Sequence, residues 1–320
     1  MMELGKYPVQ ETVRCYEIEA IEIPIVYNRF GDHDPNGLTY VLKKDAERVR
    51  EGALSNFQQE IPQPCEEVKP LVIRANLGDK VIIRFSHSLK RALSIHVQGL
   101  AYDVQTSDGA DVGFNRDTTT KRQITYTWYA RREGVYLFHD LADPRSSEDG
   151  TNVHGLFGAV IIEPAGAEWY RSFSSVKGRY EEQAVITAPG TETFREFVVM
   201  IQNGIRMLDA QGMLVQTALE DDGEPVDAED TGEKGYNYRS ERFANRLRKD
   251  RRISRVFCSR THGDPATPVF KAYAGERIVF RTMMPADKPR NVGFCIHGHE
   301  WKDKPEDSRS RVIICTVQGA

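Results

Sequence analysis

The sequence predicts an all-β protein built as two β-sandwich domains, and three observations carry that prediction. Short segments rich in β-branched and aromatic residues recur along the chain, Gly, Asp, Asn or Pro separates most of them, and helical pattern is sparse. Strand-sized segments at this spacing suit a sandwich or barrel. The length agrees, since 320 residues at about 150 per domain make two domains with room for a core.

In chain order, Lys43 to Ala53 can form a turn or two of helix. The predicted strands of the first half are Pro70–Ala75 (PLVIRA), Lys80–Phe85 (KVIIRF), Leu93–Gln98 (LSIHVQ), Gln123–Trp128 (QITYTW), Val135–His139 (VYLFH) and Phe157–Glu163 (FGAVIIE). After Pro164, the run Ala165-Gly166-Ala167 leads into Glu168-Trp169-Tyr170 and a polar stretch, Arg171 to Glu182, without a core pattern. That places the boundary between domains 1–167 and 168–320. The second half restarts with Glu196–Gln202 (EFVVMIQ). There, Val269–Ala274, the turn Gly275-Glu276 and Arg277–Arg281 mirror Leu71–Arg84, a weak internal repeat of one β-unit. Between them Leu219–Gly235 is acidic and Arg239–Arg255 basic, with helix-friendly composition but a weak apolar stripe over Arg239–Arg252. The expectation is a solvated loop whose two charge blocks partly neutralise each other.

Composition excludes several classes. The chain is 40% hydrophobic and 28% charged, with no apolar run near the roughly 18 residues of a membrane span. Its 43 basic and 47 acidic residues leave a net charge of -4, which argues against a phosphate-binding surface and so against nucleic acid as a partner. The start, Met1-Met2-Glu3-Leu4-Gly5-Lys6, lacks a basic region followed by an apolar stretch. The expected compartment is the cytoplasm by default, with a cell or spore surface as the other reading. Five dispersed cysteines without a C-x-x-C pair indicate neither a disulfide framework nor a zinc ribbon and suit a reducing compartment.

The histidines that can carry chemistry sit on predicted strands, where alternate side chains share a face. His96 and Gln98 point the same way on Leu93–Gln98, opposite Leu93, Ile95 and Val97. On the strand ending at His139, the position sharing its face is Leu141. Cys295, His297 and His299 fall on one face of Gly293–Trp301 and form the best local metal-ligand set, since imidazole and thiolate suit copper and zinc. A fourth ligand such as His262 would close a lone zinc or copper site. The ordinary alternative is a hydrogen-bonded structural role for each His and a buried, hydrophobic one for Cys295.

Taken together, these segments resemble the multicopper oxidase family, within it the ceruloplasmin-like and bacterial manganese-oxidase-like branches. Ser94-Ile95-His96-Val97-Gln98-Gly99-Leu100 is similar to that family's H-x-H-G-L strand. Thr125-Tyr126-Thr127-Trp128 followed by Gly134-Val135-Tyr136-Leu137-Phe138-His139 is similar to its second H-x-H strand, and Gly155–Pro164 to its domain-closing G-L-x-G-x-L-I-V-x-P. His262-Gly263-Asp264-Pro265-Ala266-Thr267-Pro268 and Phe294–His299 continue the likeness, which covers nearly the whole chain.

The resemblance implies two cupredoxin-like Greek-key domains, the second ending before its last strands. It also implies copper: a type 1 ion taking electrons singly from a donor, and a trinuclear cluster reducing dioxygen to water. His96 then falls at the type 2 position and His139 at a type 3 position, while Gln98 and Leu141 replace two of the four first-domain imidazoles. In the second half the H-x-x-H-x-H pattern maps onto Val292, Cys295 and His297, and no H-C-H segment follows.

Two functions follow from this pattern. One is copper-dependent oxidation of a metal ion or phenolic donor coupled to dioxygen reduction, completed by further cupredoxin domains or a second subunit. The other is a degenerate, copper-free cupredoxin pair acting as a structural or binding module. The candidate metal residues are His96, His139, Cys295, His297 and His299.

Overall fold

A computed structural model describes residues 12–110, 123–142, 150–171, 182–215, 233–286, 291–304 and 307–319. Its elements are β1 (Val13–Glu22), β2 (Ile25–Val26), β3 (His33–Asp34), β4 (Leu38–Leu42), α1 (Ala46–Phe57), β5 (Leu71–Asn76), β6 (Lys80–His87), β7 (His96–Val97), β8 (Ala101–Tyr102), α2 (Val104–Ser107), β9 (Gln123–Tyr129), β10 (Gly134–His139) and β11 (Phe157–Glu163). They continue with β12 (Glu168–Arg171), β13 (Gln183–Ala188), β14 (Thr191–Ile205), β15 (Glu233–Tyr236), α3 (Phe243–Lys249), α4 (Ser259–His262), β16 (Arg277–Ala286), β17 (Asn291–Cys295), β18 (Trp301–Lys302), β19 (Val312–Ile313) and β20 (Cys315–Gly319). The all-β expectation holds.

The strands form three stacked layers. The first sheet has the order β4-β1-β6-β9-β8, the second β5-β11-β10-β7, and the third β12-β13-β14-β15 with β16 parallel to β14. Between the first two lies a core of alternating inward residues: Ile18, Tyr40, Ile83, Phe85, Tyr126 and Trp128 from the first sheet meet Leu71, Ile73, Ala75, Phe138, Val160 and Ile162 from the second. The opposite face of the second sheet packs on the third, where Val72, Phe157, Ala159 and Ile161 meet Val198, Met200 and Met283. Every residue of β5 and β11 is therefore buried. That explains the unbroken apolar run Phe157–Ile162, because a strand covered on both faces has no polar side to present.

Two charged residues interrupt those doubly covered strands. Arg74 of β5 and Glu163 of β11 face the third sheet with no solvent exposure, and they meet Glu196 of β14 and Arg281 of β16. The Arg74 guanidinium pairs with both carboxylates, and Arg281 Nε lies 2.7 Å from Glu196 Oε2. Two guanidiniums and two carboxylates neutralise one another, which is the condition under which buried charges are tolerated. Burial, followed by the Glu196 charge, pushes the Glu163 carboxyl up to about 7. Burial pushes at Glu196 too, but the Arg74 and Arg281 charges together hold it below its ordinary value.

Several sequence expectations need correction. Only His96–Val97 of Leu93–Gln98 joins a ladder, because the Ser94 amide donates to Asp140 Oδ1 (2.8 Å) rather than to a neighbouring strand. Val269–Ala274 is not a strand, and only β16 repeats its first-half counterpart. The acidic block, apart from residues 233–235, and most of Arg171–Glu182 lie outside the described residues. The basic block is not simply a solvated loop. Arg242 forms a bidentate pair with buried Asp32 (2.6 and 2.9 Å), Arg246 pairs with Glu241 (2.8 Å), and Arg239 donates to the Cys65 carbonyl (2.6 Å). It clamps the second half onto the loop between β2 and β3.

Candidate metal centre

His96 and His139 are directly opposite each other in the antiparallel pairing of β7 with β10. Their rings lie 5.6 Å apart, centre to centre, at 73°. Each ring is oriented through Nδ1 by a backbone carbonyl: His96 by Asp108 (2.6 Å) and His139 by Asp140 (3.0 Å). Such a bond places the proton on Nδ1 and leaves the Nε2 lone pair to act, the arrangement found around metal-bound imidazoles. Burial pushes the His139 imidazole down to about 4, against the carbonyl of Asp140 and with the help of the nearby His96 ring. His139 is therefore neutral at physiological pH.

The support for these rings comes from residues that are not ligands. Asp140 Oδ1 accepts from the amide and hydroxyl of Ser94 (2.8 and 3.1 Å) and from the Ala142 amide (3.0 Å), while Oδ2 accepts from the Thr151 hydroxyl (2.8 Å). Asp108 accepts from Tyr102 Oη (2.6 Å), and burial together with that carboxylate pushes the phenol up to about 12. Gly109 lets the Asp108 carbonyl come this close. Its φ is +80°, and a Cβ there would sit 2.1 Å from the Ile95 carbonyl oxygen. The sequence reading missed Asp108, Gly109 and Asp140, although an acidic residue directly after a strand-end His and the run Ser107-Asp108-Gly109 are visible signals of such support.

The third member of the group is Gln98, whose side-chain nitrogen lies 3.1 Å from His139 Nε2. With Nδ1 protonated, the amide donates into the lone pair that a metal would use. Leu141 adds no donor. Among the described residues no group of three or more His, Cys, Asp or Glu side chains is placed to hold a metal ion.

The second-half candidates lie elsewhere. The chain leaves β17 at Cys295 and turns, with the His299 amide donating to the Ile296 carbonyl (3.1 Å) and Gly298 at φ +78°. The alternation of a strand ends there, so Cys295, His297 and His299 do not share a strand face as expected. Cys295 is bonded to Cys315, against the expectation of free thiols, and has no thiolate to offer while the bond stands. His297 and His299 are exposed and line a cleft of about 1710 Å³ between the layers, whose other wall includes Gln98, Arg131, Arg132 and Tyr136. His262 is buried at the end of α4, where its carbonyl accepts from Arg29 (2.6 Å), and it does not line that cleft.

Residues 65–167 match the family described as multicopper oxidase. The matched residues make up about a third of the chain. The match begins before β5 and ends after β11, so it contains the whole His96–His139 group. Among solved structures, the chain is similar to the multicopper oxidase mgLAC at 14% identity and a TM-score of 0.53, covering 96% of this chain and 73% of that one. It is also similar to a copper nitrite reductase from Nitrosomonas europaea at 15% identity and 0.51, covering 97% and 81%. At these identities the likeness establishes the cupredoxin fold. Of a multi-copper oxidase from Pseudomonas thermotolerans the chain spans only 43%, at 16% identity over 72% of its own length and a TM-score of 0.40. No curated protein matches in sequence.

The donor set of residues 65–167 can be tested against the copper that the matching family implies. Two imidazoles are present and correctly oriented, but an amide and a leucine stand at the partner positions. The described residues do not supply a trinuclear or a type 1 ligand set.

Proposed function

We propose that the chain is a two-unit cupredoxin-like module, divided at about residue 167, that contributes a half-site of two imidazoles to a multicopper-oxidase-type assembly. Further cupredoxin domains or a second subunit complete the ligand set. In that assembly copper would carry electrons from a reducing metal ion or a phenolic donor to dioxygen. This chain's own residues hold and orient the two rings and keep His139 neutral. The observation that carries the reading is the facing pair His96 and His139, each with Nδ1 bound to a backbone carbonyl and Nε2 directed away from it.

A second reading is a copper-free binding or structural module. It is favoured by the Gln98 amide on His139 Nε2 and by the disulfide at Cys295. Copper titration of the purified full chain separates the two. The half-site reading predicts one weakly held copper per chain, removed by His96→Ala or His139→Ala, with neither intense blue absorption nor oxygen consumption in the presence of a phenol. Absence of copper binding at any accessible concentration establishes the second reading. Blue absorption and sustained oxygen consumption from the chain alone overturn both. No helix among the described residues is long and apolar enough to cross a membrane.

A further inference from the structure

The strands β17 and β20 form a two-stranded ribbon of five antiparallel residue pairs, Asn291↔Gly319 through Cys295↔Cys315. The bridge joins the last of these pairs, with Cα atoms 4.4 Å apart, and closes a loop of sequence separation 20. Isolated two-stranded ribbons are marginally stable in water. This one is attached to the rest of the molecule by the contact of β20 with β16 and by the Phe294 ring on Phe280, 5.6 Å between centres.

The described residues of the loop have little else to hold them. The two-residue pair β18–β19, a few turn bonds, the Lys304 amide on Ser310 Oγ (2.8 Å) and the surface ion pairs Arg309–Asp307 and Arg311–Asp303 order them, all within the loop itself, and His297, His299, Lys302, Arg309 and Arg311 are exposed. Segments with few buried apolar contacts open at low free energy. Yet this loop supplies His297, His299 and Trp301 to one wall of the interlayer cleft. Cys295, at the junction, is itself exposed, so an incoming thiolate can reach the bridge.

We propose that Cys295–Cys315 is a thiol–disulfide exchange site, reduced by a small or protein dithiol, whose opening releases His297, His299 and Trp301 from the cleft wall. The attacking thiolate bonds to one sulfur of the bridge and expels the other as a thiolate. The reductant's second thiol then displaces the remaining cysteine, closing the reductant's own disulfide. Two electrons pass from the dithiol to the bridge, and two cysteine thiols result. The chain then holds five thiols instead of the three at Cys15, Cys65 and Cys258. The inference does not depend on whether copper binds at His96 and His139.

The test uses the full chain with and without dithiothreitol under native conditions. Alkylation in denaturant followed by mass spectrometry counts thiols, and limited trypsin digestion reports the loop through cleavage after Lys302, Arg309 and Arg311. Three alkylated cysteines are expected before reduction and five after it. Cleavage in the loop should accelerate about tenfold or more on reduction, while cleavage after Arg131 and Arg132 on the opposite wall stays constant. A Cys295→Ser/Cys315→Ser double variant should be cut at the fast rate without reductant and be indifferent to dithiothreitol. Five thiols in the untreated chain, a bridge that resists dithiothreitol until denaturant is added, or a reduced chain with unchanged loop cleavage each overturn the proposal.

Discussion

In the first half of the molecule His96 and His139 sit opposite each other on paired strands, with each ring fixed by a carbonyl whose position other buried groups enforce. In the second half His297 and His299 lie on an exposed turn beyond the end of β17, where His299 Nδ1 meets only the exposed His297 carbonyl (3.2 Å) and no buried group among the described residues backs either ring. One member of each pair is spaced i, i+2 from a potential donor in the sequence, His96 from Gln98 and His297 from Cys295. The difference is where the backbone stays extended and what lies behind the ring. Buried carbonyl and carboxylate support behind the ring, rather than the density of His residues, distinguishes the first pair.

The contrast between a buried, supported half and an exposed one can be tested most strongly at the layer interface. Arg74→Met leaves Glu163 and Glu196 buried with Arg281 as their remaining partner. It should cost about 3–5 kcal/mol, read as a lowered urea midpoint. A loss below about 1 kcal/mol would mean that water reaches the cluster. Next in size is Asp140→Ala, which strands the Ser94 amide and the Thr151 hydroxyl. The expected loss is about 2–3 kcal/mol, with His139 ring resonances broadened in NMR spectra; sharp, unmoved resonances would show that Asp140 does not position the ring.

A smaller effect comes from pH. The folded Glu163 carboxyl keeps its proton up to about 7, against an ordinary 4.5, so between those values the folded chain binds more protons than the unfolded one. Its contribution to stability is complete below the unfolded value and is lost as pH rises through the folded one, a change of about 1–3 kcal/mol. Comparing urea midpoints of wild type and Glu163→Gln across pH 4.5 to 7 checks this, because the variant should lose that component of the slope. Smallest of all, His297→Ala and His299→Ala should each change stability by less than about 0.5 kcal/mol. A larger loss would show that the turn is anchored in a way its exposure does not indicate.

Much of the fold was legible because alternation and turn residues report directly on strands. The runs Lys80–Phe85 and Phe157–Glu163 emerge as β6 and β11 with at most two residues' difference at an end. The sequence also reveals His96 and His139 as strand residues. Their mutual contact was not legible, since it depends on a pairing between residues 43 positions apart. Long-range partnerships account for the other misses. Arg74 and Glu196 are 122 residues apart and Arg242 and Asp32 are 210 apart, so a charge in an apolar strand or a basic block cannot announce its partner. Cys295 looked like a ligand because the strand was extended through Gly298, where the chain turns.

The claim that this chain supplies a two-imidazole half-site is tested most directly by pulsed electron paramagnetic resonance of the Cu(II)-loaded full chain, which counts coordinated imidazoles. The predicted result is two, with the bound-copper signal lost in either His96→Ala or His139→Ala and the count unchanged in His297→Ala/His299→Ala. Three or more imidazoles in the wild-type chain, or a count that survives loss of His96 and His139, would contradict it.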